Sequence, residues 1–147
     1  TAKALFLILQ KITIGNKNAI GEPKLTRAKF WDTIVKQYGE RFYNNYGYPD
    51  DSYKRLFSMA NYCKKNNVEL IFWIPPCSND INNIIDEYGL TSENKRFIND
   101  IRILGKLYDF NNNKSITSVR NNFTDPSHFN KQIGQKIYQE MIKNNNK

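Results

Sequence analysis

With 147 residues, 39% of them hydrophobic and 14% aromatic, the chain is long enough for one packed core and too short for two. That composition excludes wholesale disorder, and the longest apolar runs, residues 4–9 and 70–76, stop well short of the ~20 residues a membrane-spanning helix needs. The formal net charge is +8, but the lysines are scattered along the chain and form no dense block, so no nucleic-acid partner is expected. The only cysteines, Cys63 and Cys77, make neither a disulfide framework nor a metal-ligand cluster, and they leave the redox compartment open.

In chain order, Leu5, Phe6, Leu9 and Ile12 recur at helical spacing, which predicts a short helix over residues 2–12. Residues 13–26 carry Gly, Asn and Pro and read as a loop. Trp31, Ile34, Val35 and Tyr38 share one side of a predicted helix over 28–38. Residues 39–49 mix Tyr, Asn and Gly without a period and read as irregular, packed through their aromatics. Asp50, Asp51 and Ser52 carry the oxygens that accept free amide protons at a helix start, and the predicted helix runs to the Asn66-Asn67 break. Residues 68–74 are the clearest strand. Being apolar on nearly every position, they predict an interior strand of a parallel sheet, ended by Pro75-Pro76. A loop at 77–80, one or two helical turns at 82–88, and a helix over 91–104 capped by Thr91 and stopped by Gly105 follow. Residues 106–110 read as a short strand, 111–124 as a polar segment, and 130–143 as a last helix with Ile133, Ile137, Met141 and Ile142 inward. This alternation predicts a single α/β domain spanning 1–147, with parallel strands. Two strands are too few for a self-sufficient sheet, so either the first 50 residues hide strands or further sequence completes it.

The stretch Asp125-Pro126-Ser127-His128-Phe129-Asn130 holds the only histidine. It follows the last predicted strand, where open α/β sheets build their sites. A carboxylate three residues before an imidazole, in a tight Pro-containing turn, can reach the ring, fix its tautomer and stabilise the imidazolium formed when it takes a proton. On spacing alone the competing reading is structural: Asp125 or Ser127 caps the last helix and His128 lies in its first turn.

Asp125-Pro126-Ser127-His128 resembles the final Asp-x-x-His block of the SGNH (GDSL-type) hydrolases, which stands just before their C-terminal helix. Residues 68–76 resemble that family's later central strand ending in prolines, Leu107-Tyr108-Asp109-Phe110 its short strand ahead of the catalytic loop, and the polar stretch 115–123 and the helix from Asn130 match in order. The resemblance covers about residues 50–142 and is closest to envelope-associated members that handle acyl groups on bacterial glycans. It implies a flavodoxin-like three-layer sandwich, of which this would be the C-terminal portion, and ester hydrolysis or O-acyl transfer on an acylated carbohydrate or small ester. His128 would be the base and Asp125 its partner, with no metal or cofactor, in an extracytoplasmic or membrane-associated envelope setting.

The chain departs from that family in having no Gly-Asp-Ser nucleophile block and no Gly-x-Asn-Asp oxyanion block. The expectation is that the serine belongs to sequence upstream of Thr1 and that this chain alone is inactive; the alternative is a non-catalytic SGNH-like binding or scaffold domain. A further alternative places the nucleophile at Cys77 or Ser78, with Asn79 donating to an oxyanion. Cys63 reads as a small buried hydrophobe. Tyr43, Tyr46 and Tyr48 read as packing residues before a sugar platform, and Asp50/Asp51 as helix-start residues before a glycosidase pair.

Overall fold

The computed structural model describes residues 3–5 and 26–145. Three parallel strands form the main sheet in the order β1-β2-β3: β1 (Lys3–Leu5), β2 (Glu69–Ile74) and β3 (Lys106–Asp109). Lys3 pairs with Glu69 and Leu5 with Ile71 on one side of β2, while Ile71 through Ile74 pair with Lys106 through Asp109 on the other. Between β1 and β2 run α1 (Arg27–Tyr38), a π-helical turn (Gly39–Tyr43) and α2 (Asp50–Lys65); between β2 and β3 run α3 (Asn79–Glu87) and α4 (Thr91–Leu104). After β3 come a short α5 (Lys114–Thr117), a 3₁₀ turn (Arg120–Asn122), an antiparallel pair of β4 (Phe123–Asp125) and β5 (His128–Phe129), and α6 (Lys131–Asn145).

The mixed α/β class with a parallel sheet is as the sequence predicts, and β2 explains it. Successive strand residues face opposite ways. Leu70 and Phe72 enter one core cluster with Ala60 and Cys63 of α2 and Ile101 and Leu104 of α4. Trp73 packs against the other, built from Trp31 of α1, Phe110, Ile116, Phe123, and Ile133 and Ile137 of α6. Helices thus cover β2 on both sides, which is why its sequence is apolar without alternation. At Gly105 a Cβ would lie 2.5 Å from the Leu70 carbonyl oxygen, so only glycine lets α4 turn into β3 this close to the central strand.

Several local expectations are corrected. The predicted helix over 2–12 is, at Lys3–Leu5, a strand; residues 6–12 and the predicted loop as far as residue 25 lie outside the described residues. An apolar run this short fits either period, and pairing with β2 decides between them. The first 50 residues thus hold a strand, one of the two ways left open for the sheet to be completed. Residues 39–49 are not wholly irregular, because α1 continues into the π-helical turn. A Cβ at Gly39 would meet the far end of the Tyr88 ring at 2.7 Å, so glycine lets that ring press against the backbone. α3 begins at Asn79, three residues earlier than predicted, with Ser78 as its N-cap. Leu90 rather than Thr91 precedes α4, and the Thr91 hydroxyl donates instead to Asp86. The Asn66-Asn67 break is as expected, with Asn67 at φ 55°, a left-handed backbone that asparagine tolerates. No described helix is long and apolar enough to cross a membrane.

Candidate functional site

The tight turn Asp125-Pro126-Ser127-His128 joins β4 to β5, with Asp125 and His128 as register partners. His128 is therefore a strand residue and not part of the first turn of α6. Asn130 caps that helix, accepting from the Ile133 amide at 3.0 Å, so the capping role considered for Asp125 and Ser127 falls away. Pro126 is fully buried and its carbonyl accepts the Ser78 amide at 2.9 Å, which ties the turn to the loop beyond β2.

Within the turn the carboxylate is heavily engaged. One oxygen, Oδ1, accepts from the Ser127 amide (2.9 Å), the His128 amide (3.0 Å) and the Ser127 hydroxyl (2.9 Å). The ring nitrogen Nδ1 of His128 lies 2.9 Å from Oδ1 and 2.7 Å from Oδ2. A carboxylate only accepts, so Nδ1 carries the proton and donates it. In the neutral ring Nε2 is then an unprotonated acceptor. Among the described residues Nε2 has no hydrogen-bond partner, and the His128 side chain is 53% exposed against 22% for Asp125. The spacing therefore brings acid and imidazole together as predicted, on a ring that is half exposed.

Neither internal nucleophile candidate meets that nitrogen. Ser78 is 1% exposed, and its hydroxyl, enclosed by protein, makes no hydrogen bond among the described residues. Cys77 is half-buried near Asp125, and burial first, then the negative charge of Asp125, push its thiol up to about 11. A thiol so protonated at neutral pH is a poor nucleophile. Alkylation of Cys77 by iodoacetamide at pH 8 is expected to run about a hundredfold slower in the folded chain than after denaturation, because its thiolate fraction falls with the shift from 9.0 to about 11. Peptide mapping of the modified chain checks this. A rate equal to that of the unfolded chain would mean the thiol is neither buried nor faced by Asp125.

Tyr38, at the end of α1, lies near Ser127, Cys77 and Asp125, and burial raises its phenol above the ordinary value. Tyr43 is pushed up to about 12, by burial first and then by Cys77, and it packs edge-on against Tyr88. Tyr48 donates to Asp100 at 2.5 Å beneath the Arg96 guanidinium, 3.7 Å from its ring centre. Asp50 pairs with Arg96 at 2.7 Å and Asp51 with Lys54 at 3.1 Å. The Tyr43 and Tyr48 side chains are accordingly packing residues, and the two aspartates do not converge on a common point. Asn111 accepts the Cys77 amide at 2.9 Å and exchanges hydrogen bonds with Asn82.

Sequence reasoning missed the network that braces the approach to β4. Asp80 accepts from the Trp31 indole at 2.9 Å and from Arg120 at 3.1 and 3.0 Å. Burial opposes ionisation of Asp80, but the donors from Arg120 and Trp31 outweigh it and hold the carboxyl below its ordinary range. No local signal links residues 31, 80 and 120, because the contact is made by tertiary packing alone. A cavity of about 460 Å³ lies beside this network between α1 and α3, lined by Asp32, Lys36, Asp80, Tyr88 and Arg120 among others, and His128 is not on its wall. Among the described residues no three His, Cys, Asp or Glu side chains are grouped to hold a metal ion. Comparison of the chain with protein-family models, curated proteins and solved structures finds no match.

Proposed function

We propose that this chain carries the acid–base half of a serine-hydrolase site in an SGNH-like domain, a flavodoxin-like three-layer sandwich of which these residues form the C-terminal portion. The observation that carries the reading is the Asp125 carboxylate on Nδ1 of His128, with Nε2, on a half-exposed ring, unpartnered among the described residues. The activity is hydrolysis of an ester, or transfer of its acyl group, on an acylated carbohydrate or cell-envelope glycan. A serine from sequence beyond these residues passes its hydroxyl proton to Nε2 as its oxygen bonds the ester carbonyl carbon. Collapse of the tetrahedral oxyanion breaks the carbon–oxygen bond to the leaving alcohol, which takes the proton from Nε2. Water or an acceptor hydroxyl then repeats the sequence on the acyl-enzyme, while Asp125 holds the ring and stabilises each imidazolium. As written, the reaction needs no metal or organic cofactor.

A second reading is favoured by the position of the cavity. It lies along α1 and α3 and not at His128, as a glycan- or protein-binding domain without catalysis would allow. Treating the intact protein with a fluorophosphonate separates the two. Labelling of a serine outside these residues, together with deacetylation of acetylated oligosaccharides, supports the hydrolase. Glycan binding with neither labelling nor turnover supports the scaffold.

A further inference from the structure

The carboxylate of Asp125 is held by more donors than a simple acid–imidazole contact requires. Two of them, the amides of Ser127 and His128, are backbone groups and are supplied whatever side chain stands at 127. They fold the aspartate back over its own turn and set its torsions. The Ser127 hydroxyl is different. It lies 2.9 Å from Oδ1 and 3.1 Å from Nδ1 of His128, so it sits against both partners of the pair at once. Since the carboxylate only accepts, the hydroxyl proton points to Oδ1, leaving an Oγ lone pair toward Nδ1–H.

We propose that Ser127 is a positioning residue for the Asp125–His128 pair, its hydroxyl clamping the carboxylate against Nδ1 and closing that side of the ring to water. This rests on the acid–base role assigned to His128 and names what holds the ring in its working form. Without the clamp, water reaches Nδ1 and Oδ1, and the ring is free to take the Nε2–H tautomer, which cannot accept a proton from a nucleophile. The backbone amides alone restrain the carboxylate but not the imidazole. Among the described residues the hydroxyl is the one side-chain group that touches both.

The only histidine in the chain gives a test with a single signal. Nitrogen-15 NMR of the chain, labelled at histidine and observed with the ring neutral, reports the Nδ1–H to Nε2–H ratio directly. Ser127→Ala is expected to lower that ratio roughly tenfold or more, the size of effect set by one hydrogen bond to a charged acceptor. Ser127→Thr, which keeps the hydroxyl, is expected to restore it, and Asp125→Ala marks the ratio of an unsupported ring. Should Ser127→Ala fail to fold, Ser127→Cys replaces it, filling the same space with a far weaker donor and expected to fall likewise. A ratio within twofold of wild type in a folded Ala or Cys variant would overturn the proposal, as would a Thr variant no better than Ala. Because the ring is read without turnover, loss of the hydrolase assignment through absent ester cleavage would leave this result standing, and the converse also holds.

Discussion

Replacing His128 with alanine in the intact protein is expected to lower kcat/KM for ester cleavage about ten-thousand-fold, equivalent to about 5.5 kcal/mol of lost transition-state stabilisation. An alcohol oxygen attacks a carbonyl slowly at neutral pH unless a base takes its proton as the bond forms, and Nε2 of His128 is the acceptor the turn presents. The stability of the fold should hardly change, within about 1 kcal/mol, because the ring is half exposed and its hydrogen bonds stay within one turn. That separation makes the test sharp: a large loss of turnover with an unchanged melting temperature is the signature of chemistry. Asp125→Ala is expected to lose less activity than His128→Ala, since Nε2 survives but the ring loses its tautomer, while stability falls further as the amides of Ser127 and His128 lose their acceptor. Ester turnover in His128→Ala within tenfold of wild type would remove the histidine from the reaction and the serine-hydrolase reading with it.

How much of this was legible in the sequence follows the range of the interactions. The Asp125–His128 contact spans three residues and a proline, so local geometry forces it and spacing is enough to find it. β2 was legible for the same reason in another form: a strand covered on both faces must be apolar throughout, and this one is. α1, α2, α4 and α6 each announce themselves by an apolar face at helical spacing. What was not legible depends on partners far along the chain. β1 is a strand through its pairing with residues 69–71, and nothing within its own three residues distinguishes it from the first turn of a helix. The π-helical turn exists where Gly39 lets Tyr88 press against the backbone, a contact across 49 positions of sequence. The burial of Ser78 could not be read from its polarity. A serine between a strand and a helix looks accessible until the Asp125–His128 turn lies over it and accepts its amide through Pro126.

The bracing of that turn yields the largest stability effect expected in the molecule. Trp31 is 2% exposed, fills the core beside Phe110, Phe123 and Ile133, donates its indole N–H to Asp80, and lies near the guanidinium groups of Arg27 and Arg120, 6.0 and 5.3 Å from its ring centre. Trp31→Ala therefore combines a large core cavity with the loss of a donor to a carboxylate, and about 3–5 kcal/mol of destabilisation is expected. Trp31→Phe keeps most of the volume and removes the donor, so about 1–2 kcal/mol is expected. Urea unfolding followed by circular dichroism measures both. The consequence should reach the site, because Arg27 donates to the carbonyls of Arg120 and Phe123, and Arg120 pairs with Asp80 at 3.0 Å. These contacts hold the 3₁₀ turn and the start of β4 against α1 and α3, and the first residue after that brace is Thr124, immediately before Asp125. In a folded Trp31→Phe variant, amide hydrogen exchange is expected to quicken at residues 120–128 while that of β2 and α4 stays at the wild-type rate. Uniform quickening across the chain would mean that Trp31 serves the core as a whole and leaves the approach to Asp125 without a brace of its own. Exchange confined to the turn would instead make Trp31, Asp80 and Arg120 the support on which the acid–imidazole geometry stands.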